Sequence, residues 1–163
     1  RSKGKIQPQM VQSYSISKDG KTWTFKLRSG LAFHDGKPVT GEDVVASLKR
    51  WASRDTMGGV LFGFVDKLDA PDPQTFRLLL KEPCAIVLEA LGKASSNVPF
   101  IMPARVAATP GTEQIKEHIG SGPFIFKADE FKPGSLAVYE RNPKYVSRTE
   151  APSGLAEIGR AHV

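Results

Sequence analysis

Along residues 22–28, Trp23, Phe25 and Leu27 alternate with Thr22, Thr24, Lys26 and Arg28, the period-two pattern of a strand with one buried face. Tyr14 to Ser17 precedes it across Lys18-Asp19-Gly20-Lys21, where Asp-Gly is expected to supply the positive-φ positions of a tight antiparallel hairpin. His34-Asp35-Gly36-Lys37-Pro38 then breaks the chain with residues that tolerate turns. Beyond the break the period changes. Val44, Val45, Leu48, Trp51 and Ala52 mark one face of a helix over Gly41 to Ser53, with Lys49, Arg50 and Arg54 toward solvent or the C-terminal dipole. Thr40 is its predicted N-cap, and Asp43 is a shorter-armed version of the capping-box acid.

Val65 to Ala70 and Thr75 to Leu80 read as a second hairpin about Pro71-Asp72-Pro73-Gln74, whose prolines are expected to stop the first strand. Ala85 to Leu91 predicts a short apolar helix, Gly92 to Asn97 a loop, and Pro103 to Ala108 and Glu113 to His118 two more short helices. Phe124, Phe126 and Ala128 alternate as a strand, and Leu136, Val138 and Glu140 continue the pattern across Lys132-Pro133-Gly134. No internal repeat or low-complexity tract interrupts this order.

The succession of a TWTFKLRSGLAFHDGKPVTGEDVV segment, the Val65 to Leu80 strand pair, Lys81-Glu82-Pro83, Gly120-Ser121-Gly122-Pro123-Phe124, Lys132-Pro133-Gly134 and Glu140-Arg141-Asn142-Pro143-Lys144-Tyr145 closely resembles one family. It is the peptide-binding class of extracellular solute-binding proteins, family 5, and the resemblance spans about residues 11 to 156. It implies an α+β fold, a fragment of a bilobal periplasmic-binding-protein fold of class II, peptide-binding type, with antiparallel hairpins and packed helices. Residues 1–119 would form a small α+β subdomain of the first lobe, and residues 120–156 the return into that lobe. The resemblance further implies a receptor, monomeric at full length and not an enzyme. It would capture a peptide or similar small solute by lobe closure, deliver it to the permease of an ABC importer, and reside in the periplasm or lipid-anchored at the cell surface.

Arg1 to Met10 lacks the apolar core of a secretion signal, so the start reads as cut. Glu157 to Val163 departs from the resemblance and is the translation of GAGATCGGAAGAGCACACGTC, a common sequencing-adapter sequence; these residues are expected to be read-through.

Composition narrows the alternatives. The chain has 163 residues, 40% hydrophobic and 25% charged, an ordinary globular balance, and its longest apolar runs fall far short of the roughly 20 residues a membrane span needs. The net charge of +6 comes from 23 Lys and Arg scattered among 17 acids, without the basic stripe and interleaved aromatics of a nucleic-acid surface. Cys84 is alone, which excludes an intrachain disulfide and a cysteine metal cluster, and its apolar neighbours make it a small buried hydrophobe.

No motif calls for catalysis, a cofactor or a metal. Gly120-Ser121-Gly122-Pro123 lacks the Lys-Ser/Thr of a phosphate loop and reads as a structural turn. His34-Asp35 has no nucleophile motif beside it and reads as a surface or turn pair. Glu117-His118 lacks the spaced partners zinc requires, and Asp129-Glu130 solvates a hairpin tip. The candidate ligand contacts are Ser95, Ser96 and Asn97, polar groups before an apolar run, with Met57 as an adaptable apolar contact. Two other readings stay open at this point: a fragment of a small hydrolase or transferase with its catalytic residues elsewhere, and a basic adaptor for nucleic acid or anionic membranes. The first would turn substrate into product, and the second would lose affinity steeply with added salt.

Overall fold

The computed structural model describes residues 6–94, 96–148 and the backbone of residues 160–162. Strand β1 (Val11–Ile16) pairs antiparallel with β2 (Thr22–Leu27), placing Tyr14 opposite Phe25 and Ile16 opposite Trp23. The reversal differs from the expected Asp-Gly turn in one respect. Only Gly20 is left-handed, at φ +71°. Asp19 acts through its carboxylate instead, accepting from the Lys21 N–H at 3.0 Å and from the Ser17 hydroxyl; a short acid can bond the backbone two residues on without a positive φ of its own.

Strands β3 (Val65–Asp72) and β4 (Thr75–Leu80) form the second hairpin, and the two hairpins merge into one sheet ordered β1-β2-β4-β3. All three pairings are antiparallel. Trp23, Phe25 and Leu27 of β2 and Phe76, Leu78 and Leu80 of β4 alternate inward, and the Phe25 and Phe76 rings stack at 4.8 Å. The prolines do not end β3 where expected: it continues through Pro71 to Asp72, with a register break between Asp69 and Asp72. An outer strand tolerates this, because the N–H that proline lacks need not face a partner.

Helix α1 (Gly41–Ala52) covers the apolar face of the sheet with Val44, Leu48 and Trp51. Its capping box is complete: the Thr40 hydroxyl accepts from the Asp43 N–H, and Asp43 Oδ2 accepts from the Thr40 N–H at 2.8 Å. The expectation for Arg50 needs correcting. Rather than facing solvent, its guanidinium donates to the carbonyls of Thr109, Pro110 and Glu113, at 2.7 Å for Pro110 and 2.8 Å for Glu113.

Helix α2 (Thr56–Phe64) was not predicted. Met-Gly-Gly-Val-Leu-Phe-Gly-Phe offers no polar face to set a period, and its glycines are poor helix formers. Its start is fixed from outside, by Asp55 as N-cap accepting from the Gly58 N–H at 2.9 Å. Gly58 is required there, since a Cβ would stand 2.9 Å from Ala52 Cα and 3.1 Å from the Trp51 ring.

Helices α3 (Val87–Leu91) and α4 (Ala104–Ala107) are shorter than the predicted 85–91 and 103–108. The predicted Glu113 to His118 helix is absent; residues 113–118 are turn and irregular chain. The Glu113 carbonyl is held by Arg50 and the Glu117 carboxylate by Arg105, so tertiary bonds outweigh a helix too short to sustain itself.

A second sheet joins β5 (Phe124–Phe126), β6 (Val138–Arg141) and β7 (Arg160–His162) in antiparallel order β5-β6-β7. Ala128 leaves the predicted strand to open a 3₁₀ turn over Ala128–Glu130. β7 falls within the heptapeptide Glu157–Val163. His34 joins the two parts: the Gly120 N–H donates to His34 Nδ1 at 3.3 Å, which leaves the proton on Nε2 to donate to the Gly122 carbonyl at 3.0 Å. Asn142 Nδ2 donates to the same carbonyl at 3.2 Å.

Thr40→Ala, which removes the cap, should lower the stability of the chain by about 1 kcal/mol, with Thr40→Ser near wild type. Leu78→Ala, at a fully buried position, should cost about 2–5 kcal/mol. Urea titration followed by circular dichroism measures both.

Candidate functional site

Residues 92–101, between α3 and the Ile101 end of an irregular stretch, carry three of the four predicted contacts. Ser95 lies outside the described residues. Ser96 is exposed and takes the left-handed conformation at φ +61°, uncommon for a residue with a side chain. Asn97 also presents its side chain to solvent, while its main-chain carbonyl accepts the Trp51 indole N–H at 2.6 Å. Met57, on the first turn of α2, is half-buried and packs against the core.

Asp55 and Trp51 anchor this region. Asp55 is buried; its Oδ1 caps α2 while Oδ2 accepts from the Lys93 ammonium. One carboxylate therefore ties the start of α2 to the loop before Ser96, and one indole ties the end of α1 to Asn97. Ser96, Asn97 and Met57 thus share a neighbourhood organised by Trp51 and Asp55.

A cavity borders the same loop. It has a volume of about 370 Å³, and Lys93, Pro99 and Ile101 form one wall. Phe25 and Phe76 of the sheet floor it, and residues 6–11 close it as a strap. Neither Met57, Ser96 nor Asn97 lines it. The sequence holds a signal for the strap: Ile6, Pro8 and Met10 are half-buried and alternate with exposed Gln7 and Gln9, a period-two pattern passed over beside the basic residues that precede it. Gly92 seats it, since a Cβ there would stand 2.7 Å from Ile6 Cγ2.

His34 is half-buried and clasps the Gly120–Gly122 turn, a tertiary role beyond the expected surface turn. Asp35 pairs with Arg105 at 3.7 Å, Glu117 pairs with the same guanidinium, and His118 meets the edge of Phe126. Asp129 lies in the 3₁₀ turn, and Cys84 is buried. Among the described residues no group of three His, Cys, Asp or Glu could hold a metal ion, and no helix is long and apolar enough to cross a membrane.

With this geometry in place, comparison with known proteins defines the class. Residues 5–158 match the bacterial extracellular solute-binding proteins, family 5 Middle, and the chain belongs to that family. It is 44% identical over 155 residues to the probable peptide ABC transporter periplasmic-binding protein y4tO of Sinorhizobium fredii, a match covering 95% of this chain and 29% of the relative. The fold superposes on the periplasmic binding protein AgaA of Agrobacterium tumefaciens, solved with agropinic acid, with TM-score 0.71 and 30% identity over 98% of this chain and 30% of that one. It also matches DppA of Helicobacter pylori, solved with the peptide STSA, at TM-score 0.68 and 25% identity over 88% of this chain and 32% of the other. The chain therefore spans roughly three tenths of the length of these proteins, and its architecture is the α+β fold of the matching part of them.

The hydrogen bond from Lys93, then that from the Gly58 N–H, holds the Asp55 carboxyl below the ordinary aspartate range against the opposing effect of burial. A carboxyl lowered on folding stabilises above its unfolded value of about 4 and loses that contribution as pH falls through its folded value. Lys93→Met should therefore lessen the stability lost between pH 5 and pH 2, read from urea midpoints. An unchanged acid dependence would refute the coupling.

Proposed function

We propose that the chain is part of the solute-capturing receptor of an ABC importer. Such a receptor takes up a peptide or a similar small polar solute between two lobes and presents it to the membrane permease. The observation that carries this reading is the family match over residues 5–158, reinforced by 44% identity to a relative named as a probable peptide transporter receptor. The named solutes of its relatives, agropinic acid and a short peptide, share dense polar and charged groups on a small frame.

Closure follows from differential affinity. A solute that touches both lobes only in the shut form shifts the hinge equilibrium toward that form by the free energy of the added contacts. No covalent step is needed, and the receptor returns its solute unchanged. It would act in the periplasm or anchored by lipid at the cell surface, as a monomer. In this reading residues 1–119 are a small subdomain of the first lobe and residues 120–156 lead back into that lobe.

Ser95 and the exposed side chains of Ser96 and Asn97 are the proposed polar contacts, and Met57 an apolar one. What supports Ser96 and Asn97 is that both are presented on a loop whose own fastening runs through main chain and through Lys93, leaving their polar atoms available to a solute.

Calorimetry tests the proposal. A family-length receptor containing this chain should bind a short peptide saturably and release it intact by mass spectrometry, while the 163-residue chain alone shows no saturable heat. In the family-length receptor, Asn97→Ala should weaken binding about two- to tenfold, the worth of one net hydrogen bond. Cleaved peptide or tight binding by the chain alone would sink the reading.

A further inference from the structure

The part of the chain that carries the four-stranded sheet is fastened to residues 120–148 at both ends of that stretch, and the two fastenings differ in chemistry. At the far end the Arg28 guanidinium lies over the Tyr145 ring, the Gln9 side chain donates to the Tyr145 hydroxyl, and Arg148 donates to the Val11 carbonyl at 2.9 Å. Arginine, tyrosine and glutamine side chains keep their charge state between about pH 5 and pH 8. At the near end stands His34, and histidine changes its charge within that range.

His34 makes three bonds to the near end. Its main-chain N–H donates to the Gly120 carbonyl at 2.9 Å, Nδ1 accepts from the Gly120 N–H at 3.3 Å, and Nε2 donates to the Gly122 carbonyl at 3.0 Å. The half-buried ring is seated against bare main chain, since a Cβ on Gly120 would stand 3.2 Å from His34 Cε1. Only a neutral imidazole with its proton on Nε2 satisfies this pattern, because an imidazolium carries a donor on both nitrogens.

The charges around the ring do not call for a second proton. Asp35 and Lys37 lie on its own turn, while Arg105 of α4 pairs with Asp35 and with Glu117. Two acids thus stand against two bases. Gly120 to Phe124 carry no charge, Asn142 is neutral, and Arg141 and Lys144 beside it are exposed. Among the described residues no carboxylate accepts from the imidazole.

We propose that His34 is a pH-sensitive clasp: the neutral imidazole holds the Gly120–Gly122 turn to the loop between β2 and α1, and protonation of Nδ1 opens it. The incoming proton takes the lone pair that accepts the Gly120 N–H, so two N–H groups face each other across 3.3 Å. The ring then withdraws and takes Nε2 from the Gly122 carbonyl. Because the clasped chain favours the neutral form, the clasp is complete above the histidine range and is lost as pH falls through it. Asn142 still holds the Gly122 carbonyl, and the Tyr145 and Arg148 contacts persist, so acid loosens one end of the stretch and leaves the other fixed.

The test uses a family-length receptor containing this chain, and solute binding enters none of its readouts, so the receptor function stands or falls separately. In ¹⁵N-histidine NMR at about pH 7.5, the His34 ring, assigned with His34→Gln, should carry its proton on Nε2. Hydrogen exchange by mass spectrometry, corrected for the intrinsic pH dependence of exchange, should show the protection of residues 119–122 falling about fivefold between about pH 7.5 and pH 5, with residues 142–148 unchanged. His34→Gln should abolish that fall. His118→Gln, at a ring that meets Phe126 instead, should keep it. A proton on Nδ1 at the higher pH, protection that ignores pH, or a fall that survives in His34→Gln overturns the proposal; so does a fall that His118→Gln abolishes. If His34→Gln does not fold, the wild-type tautomer and the wild-type protection at the two pH values decide.

Discussion

A largely irregular stretch packed against a helix must place the main-chain donors and acceptors it covers somewhere, and here one face of α1 does this for part of residues 97–113. Asp43 Oδ1 accepts the Ala104 N–H at 2.7 Å, Ser47 exchanges bonds with both the N–H and the carbonyl of Met102, and Arg50 gathers three carbonyls further on. The spacing of 43, 47 and 50 is that of a single helical stripe. The apolar stripe of the same helix, Val44, Leu48 and Trp51, lies on the sheet. α1 is therefore a bolt between an ordered layer and a segment that could not hold its own shape, and the Trp51 indole extends the same service to Asn97.

The strands and α1 could be read from the sequence because each carries a period that burial enforces. Trp23, Phe25 and Leu27 can face only one way once Phe76, Leu78 and Leu80 stand beside them. Thr40 and Asp43 satisfy each other within four residues, so that helix start needs no distant information. α2 is the opposite case. Its composition leaves the helical period unmarked, and its two fixing contacts, Lys93 on the capping Asp55 and Trp51 against Gly58, come from other parts of the chain.

The site was legible only in outline. Polar residues before an apolar run make Ser95, Ser96 and Asn97 candidate ligand contacts, and of these the structure shows Ser96 and Asn97 exposed. Nothing local could show that Asn97 would be held by its carbonyl, that Arg50 would face inward, or that residues 113–118 would give up a helix to it. In each case a long side chain reaches across dozens of residues to a main-chain oxygen, and oxygens of this kind are carried by every residue type. The His34 clasp on the Gly120–Gly122 turn is illegible for the same reason.

Because Asn97 is secured through an atom that all amino acids possess, the identity of its side chain is uncoupled from the bond that positions it. Mutation at that position alters what the loop displays and leaves the fastening to Trp51 in place. The chemistry of this surface can thus change by substitution while the bond that fastens the loop beneath it stays the same.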